Sequence, residues 1–265
     1  MANTETQQSL SSLLCTDERD FLIRNNGDQV ALFGGALTLL ASLALEVSSL
    51  KVPVSELTGK TVGLYFSAHW CPPCREFTPK LIQVYNELKQ NGESFEIVFL
   101  SSDRNQQGFE EYYASMPWLA LPFGDKVKKD LSQYFQIRGI PSFIIVGPDG
   151  ETVTKDGRTI VSVHGAKAYP FTDACVAELQ KDIEAAAKKY PKETKHELHE
   201  HSLQLTRRKP YMCNGCRDAG YTWSFYCQNC DFDLHPDCAL KDKHSDENEK
   251  KAAEVICEGD ACRRV

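Results

Sequence analysis

Five residues, Trp70-Cys71-Pro72-Pro73-Cys74, constrain this 265-residue chain more than any others. The apolar run 62–66 (VGLYF) ends just before them, and Phe77, Leu81, Val84 and Leu88 follow at helical spacing. A strand is therefore expected to end, and a helix to begin, at the cysteine pair. Three residues of separation put both sulfurs on one face of the first helical turn. Pro72 and Pro73 fall where backbone N–H groups have no intrahelical acceptor, so they cost little and stiffen the loop. A helix N-terminus favours negative charge, which makes Cys71 the expected thiolate nucleophile. Cys74, one turn in, is expected to be more buried. Half a zinc site would need a second ligand pair, and nearby only His69 and His164 offer donors, at no metal-like spacing.

The rest of 50–190 reads as alternating strands and helices, an α/β pattern. Residues 97–100 (IVFL) and 143–146 (FIIV) are short apolar runs suited to strands buried on both faces. Phe109, Tyr112 and Met116, and then Val127, Leu131 and Phe135, recur at helical spacing and read as core. Gly147-Pro148-Asp149-Gly150 is a strong turn, expected to precede another strand pair. Residues 173–190 read as a closing helix, with Cys175 an inert buried thiol on its apolar stripe. Ile140-Pro141 opens a strand, where proline is normally unwelcome. Residues 188–195 (KKYPKETK) read as a linker, and 241–265 as a polar tail carrying Cys257 and Cys262.

Composition narrows the function. With 30 Lys+Arg against 37 Asp+Glu, the formal charge is -7, which is wrong for a chain held to nucleic acid by phosphate contacts. The chain has no Gly-rich phosphate loop and no dinucleotide fingerprint, so no bound nucleotide is expected. The 11 cysteines are uneven: seven lie from Cys213 onward, two form the Cys71–Cys74 pair, and Cys15 and Cys175 stand alone. That distribution suits an intracellular protein rather than a disulfide-stapled secreted one. The apolar stretch 31–45 is short of the about 20 residues that span a bilayer, so it reads as a buried element and no membrane partner is expected.

A second signal lies beyond residue 191. It runs His201-x11-Cys213-x2-Cys216-x10-Cys227-x2-Cys230-x4-His235-x2-Cys238. Two CxxC pairs with a His and a Cys at these spacings are metal-type, and seven ligands exceed one four-coordinate site. Two structural zinc ions are the natural solution. A segment of about 45 residues cannot bury enough surface to fold alone, and metal supplies the missing stability.

The stretches LYFSAHWCPPCREFTPKL, FEIVFLSSDRNQQGFEEYYASMPWLALPF and FQIRGIPSFIIVGPDG resemble the nucleoredoxin/tryparedoxin branch of the thioredoxin superfamily. Joined to the zinc region, the resemblance is to plant nucleoredoxins, in a short form with one thioredoxin unit. It implies a thioredoxin fold, a central mixed sheet flanked by helices, followed by a small zinc-stabilised domain. The expected domains are a lead-in at 1–49, a thioredoxin-like domain at 50–190, a double-zinc domain at 191–240 and the tail at 241–265. The resemblance implies reduction of disulfides in target proteins by Cys71 and Cys74, in a cytoplasmic or nuclear setting. It also implies a thioredoxin-reductase-type electron donor, with NADPH entering only through that partner. Trp70, Pro72 and Pro73 would support the pair, and a cis Ile140–Pro141 bond would present a backbone edge to the target.

One departure stands out: ordinary thioredoxins keep a buried Asp six residues before the first cysteine, and Tyr65 occupies that place here. Glu76, His69 or water are the candidate substitutes. The zinc region (HSLQL, CNGC, YCQNCDFDLHPDCA) resembles the divergent plant relative of the diacylglycerol-binding domain of protein kinase C. By that resemblance Cys213, Cys216, His235 and Cys238 form one site, and His201, Cys227 and Cys230 the other. The eighth ligand is then expected to be Cys257 or His244, with His199 outside both sites. Two rival functions stay open: a zinc-domain adaptor with a weakly active or truncated thioredoxin unit, and a membrane-tethered reductant.

Overall fold

The computed structural model describes residues 10–25, 50–208, 210–240, 255–258 and 261–264. The apolar segment 31–45 and His244 lie outside the described residues. The chain divides into two compact units, Met1–Gln180 and Lys181–Val265.

The first unit runs α1 (Leu10–Leu14), β1 (Phe21–Arg24), β2 (Leu50–Pro53), β3 (Thr61–Ser67), α2 (Pro72–Gln90), β4 (Phe95–Ser101), α3 (Gln106–Tyr113), β5 (Leu119–Ala120), α4 (Val127–Tyr134), β6 (Ser142–Val146), β7 (Thr152–Thr154), α5 (Gly157–His164) and α6 (Asp173–Ala187). Its mixed seven-stranded sheet has the order β2-β1-β5-β4-β3-β6-β7. The β3–β4 and β4–β5 pairs are parallel, and β6 runs antiparallel to β3.

Both faces of this sheet are covered, which is why its central strands read as unbroken apolar runs. Alternate residues feed two cores. Tyr65, Ile97, Phe99, Phe143 and Ile145 enter one, with Phe77, Leu81 and Leu88 of α2. Val62, Leu64, Phe66, Val98, Leu100, Ile144 and Val146 enter the other, with Leu131 of α4.

Residues 10–24, within the expected lead-in, are part of the first unit's sheet and core. β1 lies between β2 and β5 in the same sheet, and Leu14 and Leu22 are fully buried in its second core. The buried Arg19 holds this segment in place: it ion-pairs with Asp125 and donates to the carbonyls of Leu14 and Phe21.

Residues 157–164 also differ, being a helix where a second strand was expected. The β-branched Thr159-Ile160-Val161 run suggests strand, but Gly157, Ile160 and Val161 share the buried face of a helix. Cys175 is half-buried rather than buried, its Sγ 3.7 Å from the Tyr169 carbonyl oxygen.

The second unit continues with β8 (Glu193–His196), β9 (His199–Arg207), β10 (Tyr211–Met212), β11 (Ala219–Gly220), β12 (Trp223–Cys227), β13 (Phe232–Leu234), α7 (Pro236–Leu240), β14 (Val255–Glu258) and β15 (Ala261–Arg264). A four-stranded sheet has the order β13-β12-β9-β8, so part of the expected linker is an edge strand. β14 and β15 pair as a hairpin within the expected tail. The core here is small: Leu203, Cys213, Phe225, Cys227, Leu234 and Ala239.

Helix α5 rests closely on β6. A Cβ at Gly157 would lie 2.7 Å from the Phe143 carbonyl oxygen and 3.1 Å from Ile145 Cγ1. Alanine favours helix by up to about 1 kcal/mol over glycine, but overpacking costs about 1–3 kcal/mol. Gly157→Ala is therefore expected to destabilise the first unit by about 1–2 kcal/mol in urea unfolding; an unchanged midpoint would contradict this contact.

Candidate functional site

The dithiol sits where β3 gives way to α2. Cys71 is the N-cap residue of α2, and Pro72 and Pro73 open its first turn. The loop is closed by backbone bonds from Cys71 N–H to the Ala68 carbonyl (3.2 Å) and from Cys74 and Arg75 N–H to the Cys71 carbonyl (3.1 and 3.2 Å). Both cysteines are free thiols. Cys71 keeps 4% of its surface exposed and Cys74 none, the order expected from their places in the turn.

The two flanks of the pair differ. On one, Trp70 is half exposed, donates its indole N–H to the Ser102 carbonyl (3.0 Å) and carries the Arg104 guanidinium 5.3 Å from its ring centre. On the other is the Ile140–Pro141 loop, whose peptide bond is cis. The Ile140 carbonyl oxygen lies 3.7 Å from Cys71 Sγ, and Ile140 packs against Ala68, Cys71 and Cys74. A groove of about 520 Å³ continues from this loop past Arg138, Lys155 and Arg158. The fold thus brings together Trp70, Cys71, Cys74 and Ile140, residues 66 and more positions apart in part of the set.

Burial pushes the Cys74 thiol up to about 11, and its hydrogen bond with Cys71 adds to the rise. At neutral pH Cys74 is therefore a protonated thiol beneath the more accessible Cys71.

Two Cys/His clusters organise the second unit, and each set of four donor atoms lies within 4.8 Å of one another. One comprises Cys213, Cys216, His235 and Cys238. Cys216 Sγ is 3.3 Å from His235 Nδ1, and the His235 N–H donates to Cys213 Sγ at 3.4 Å. Burial raises the Cys213 thiol, but backbone N–H groups of His235, Cys216 and Gly215 outweigh it and hold the thiol below its ordinary value. Burial pushes Cys238 up to about 12, with Cys216 and Cys213 adding to the rise. Such thiols resist shared ionisation unless a cation joins them, the setting zinc suits.

The other cluster comprises His199, His201, Cys227 and Cys230. Cys230 Sγ is 3.3 Å from His201 Nδ1. His199 stacks on Phe232, its ring 4.4 Å away, and its buried Nε2 has no hydrogen-bond partner. A buried imidazole nitrogen without a partner, next to two thiols and a second imidazole, fits a fourth metal ligand.

His199 thus lies with this cluster, where the sequence reading left it outside both sites. His199 joins the cluster because residues i and i+2 of a strand share a face, which places it beside His201 on β9. That period-2 signal was present in the sequence. His244 lies outside the described residues, and Cys257 stands in β14, opposite Cys262 in backbone register. The two CxxC turns are built alike: the residues after them, Arg217 (φ 67°) and Asp231 (φ 47°), both take left-handed backbone.

Residues 59–152 match the thioredoxin-like family and residues 197–239 the C1 domain family. The chain is thus a thioredoxin-fold protein with a C1 domain of zinc-binding type. It is a homologue of plant nucleoredoxins: it is 50% identical over 225 residues to "Probable nucleoredoxin 1" of Arabidopsis thaliana, covering 81% of this chain and 39% of that protein. With "Probable nucleoredoxin 3" of the same plant the identity is 38%, over 88% of this chain and 54% of the relative. The chain therefore spans about half or less of the length of these two relatives. Tryparedoxin I of Crithidia fasciculata is a structural neighbour, with 36% identity, a TM-score of 0.46, and coverage of 58% of this chain and 92% of that one. The homology and the thioredoxin-like domain support a thioredoxin-family redox function. Among the described residues no helix is long and apolar enough to cross a membrane.

The difference in burial between the two thiols is directly measurable. Limited iodoacetamide treatment of the reduced protein at neutral pH is expected to alkylate Cys71 and spare Cys74, as read by peptide mass spectrometry. Equal labelling of the two would contradict the geometry.

Proposed function

We propose that the chain is a thiol–disulfide oxidoreductase that reduces disulfides in target proteins through Cys71 and Cys74. The observation that carries this reading is a cap-position thiol at a helix N-terminus, with a fully buried thiol one turn in and the Ile140 carbonyl beside it. The Cys71 thiolate attacks one sulfur of the target disulfide, and the other target sulfur leaves as a thiolate. Cys74 then loses its proton and attacks Cys71 Sγ, expelling the second target thiolate. Two electrons pass to the target, and Cys71 and Cys74 end as a disulfide. A thioredoxin-reductase-type partner drawing on NADPH returns the pair to the dithiol. Trp70 borders the target's path, Pro72 and Pro73 fix the turn, and Ile140 and Pro141 offer a backbone edge to the target strand. The setting is cytoplasmic or nuclear, with neither nucleic acid nor membrane as partner.

The C1 domain holds two structural zinc ions in this reading, one on Cys213, Cys216, His235 and Cys238, the other on His199, His201, Cys227 and Cys230. Bound zinc supplies folding free energy to a unit with only a small apolar core. The domain recruits or orients targets for the dithiol.

The redox reading is tested by insulin-disulfide reduction with NADPH and a thioredoxin reductase. Wild type is expected to turn over and Cys71→Ser to fall to background. No turnover by folded, zinc-loaded wild type would favour the adaptor function. The metal reading is tested by zinc analysis: His199→Ala is expected to bind about one ion where wild type binds about two, and a chelator to unfold the second unit. Full zinc content in His199→Ala would exclude His199 as a ligand.

A further inference from the structure

The groove that leaves the Ile140–Pro141 loop starts beside the reacting sulfur, since the Ile140 carbonyl oxygen is 3.7 Å from Cys71 Sγ. Its charged lining is of one sign. Arg138 comes from the loop before the cis bond, Lys155 from the turn after β7, and Arg158 from the first turn of α5; all three are exposed. No carboxylate lines the groove, and among the described residues none of the three cations has an ion-pair partner. Asp156 follows Lys155 in the chain but stands outside the lining, and its carboxylate accepts a hydrogen bond from the Thr159 hydroxyl at 2.7 Å. In a chain with a formal charge of -7, this patch runs against the overall balance.

The fold holds the three cations in place. The Ile137 N–H donates to the Ser132 carbonyl at 2.9 Å, and the Ser142 hydroxyl to the Gly139 carbonyl at 2.7 Å, which pins the backbone on both sides of Arg138. Lys155 Nζ lies 5.9 Å from the centre of the buried Phe135 ring. Arg158 stands in a first turn that carries no acidic residue. A cation there works against the helix dipole, so Arg158 is not placed for the stability of α5. On the Trp70 flank of the dithiol the charges are mixed instead. Arg104 lies over the indole ring, Asp103 accepts from the His69 N–H, and Glu111 is 3.7 Å from His69 Nδ1.

We propose that this groove selects the targets of the dithiol: it takes an acidic segment of the disulfide-bearing protein, and Arg138, Lys155 and Arg158 hold that segment's carboxylates while Cys71 meets the neighbouring disulfide. The proposal rests on the reductase reading, leaves its chemistry unchanged and adds the substrate class. Exposed charge pairs are individually weak. Three cations of one sign around a concave surface nevertheless raise the encounter rate with an acidic partner and fix its orientation. Because the groove starts at the sulfur, the carboxylates it reads flank the disulfide, in sequence or in space.

The test uses the full chain and synthetic peptides closed by a single disulfide, flanked by a run of Glu, by the same run as Gln, or by the same run as Lys. Each rate constant for reduction is divided by that of the same peptide with dithiothreitol, which removes the intrinsic effect of charge on the disulfide. At low salt, wild type is expected to favour the Glu peptide over the Gln peptide roughly tenfold, about what three exposed charge pairs supply, and to disfavour the Lys peptide. Added salt should shrink the preference. The combined variant Arg138→Gln, Lys155→Gln, Arg158→Gln, altered only at exposed positions, should lose it. Equal normalised rates for the Glu and Gln peptides, or a preference kept by the combined variant, would overturn the proposal. Binding is read separately by fluorescence anisotropy, on labelled copies of the peptides with serine in place of cysteine. The Glu copy is expected to bind wild type more tightly than the combined variant, and equal binding would overturn the proposal. A wild type that binds the Glu copy in this way yet reduces none of the peptides would defeat the reductase reading and leave the preference of the groove standing.

Discussion

The N-terminus of α2 is fixed against the end of a strand paired on both sides. β3 is buried along its whole length, hydrogen-bonded to β4 on one side and β6 on the other. Its last residue, Ser67, leads through Ala68, which is fully buried, to the cap residue Cys71. The strand thereby sets where the first thiol stands and the depth of the second. β6 follows the Ile140–Pro141 loop, so the strand pair β3–β6 also sets the spacing between Cys71 and the Ile140 carbonyl. Packing a strand between two cores is what turns a five-residue motif into a reactive geometry.

The same burial holds the Cys74 thiol protonated and gathers a cluster of four buried hydroxyls that satisfy one another. Tyr65, Ser67, Thr78 and Tyr112 come from three elements, so the cluster also ties α2 and α3 to the end of β3. The second unit meets scarcity differently. Its few buried apolar residues are interleaved with Cys213 and Cys227, so two members of its Cys/His clusters are part of its core.

The central strands and the start of α2 were legible in the sequence because burial on both faces leaves unbroken apolar runs and the Cys-Pro-Pro-Cys turn marks a strand-to-helix junction. Local signals failed where distant partners decide. β1 is four residues long and owes its place to pairing with β2 and β5 and to Arg19, none of which leaves a nearby pattern. α5 carries β-branched residues that favour a strand by propensity, yet its Gly157 face fits the surface of β6. His199 was read as lying outside both sites although its spacing from His201 on a strand already placed both on one face. Ser67 and Tyr112 stand 45 positions apart, and only the packing of α3 on the sheet joins them.

The account stands on Cys71 being the thiol that meets the target and Cys74 the one that releases it. Trapping tests this most directly: Cys74→Ser protein is mixed with a disulfide-bearing protein, and the adduct is mapped by peptide mass spectrometry without reductant. A stable mixed disulfide through Cys71, released by wild type and retained by Cys74→Ser, is the predicted result. Adducts through Cys15, Cys175 or the C1-domain cysteines, with Cys71 left free, would contradict it.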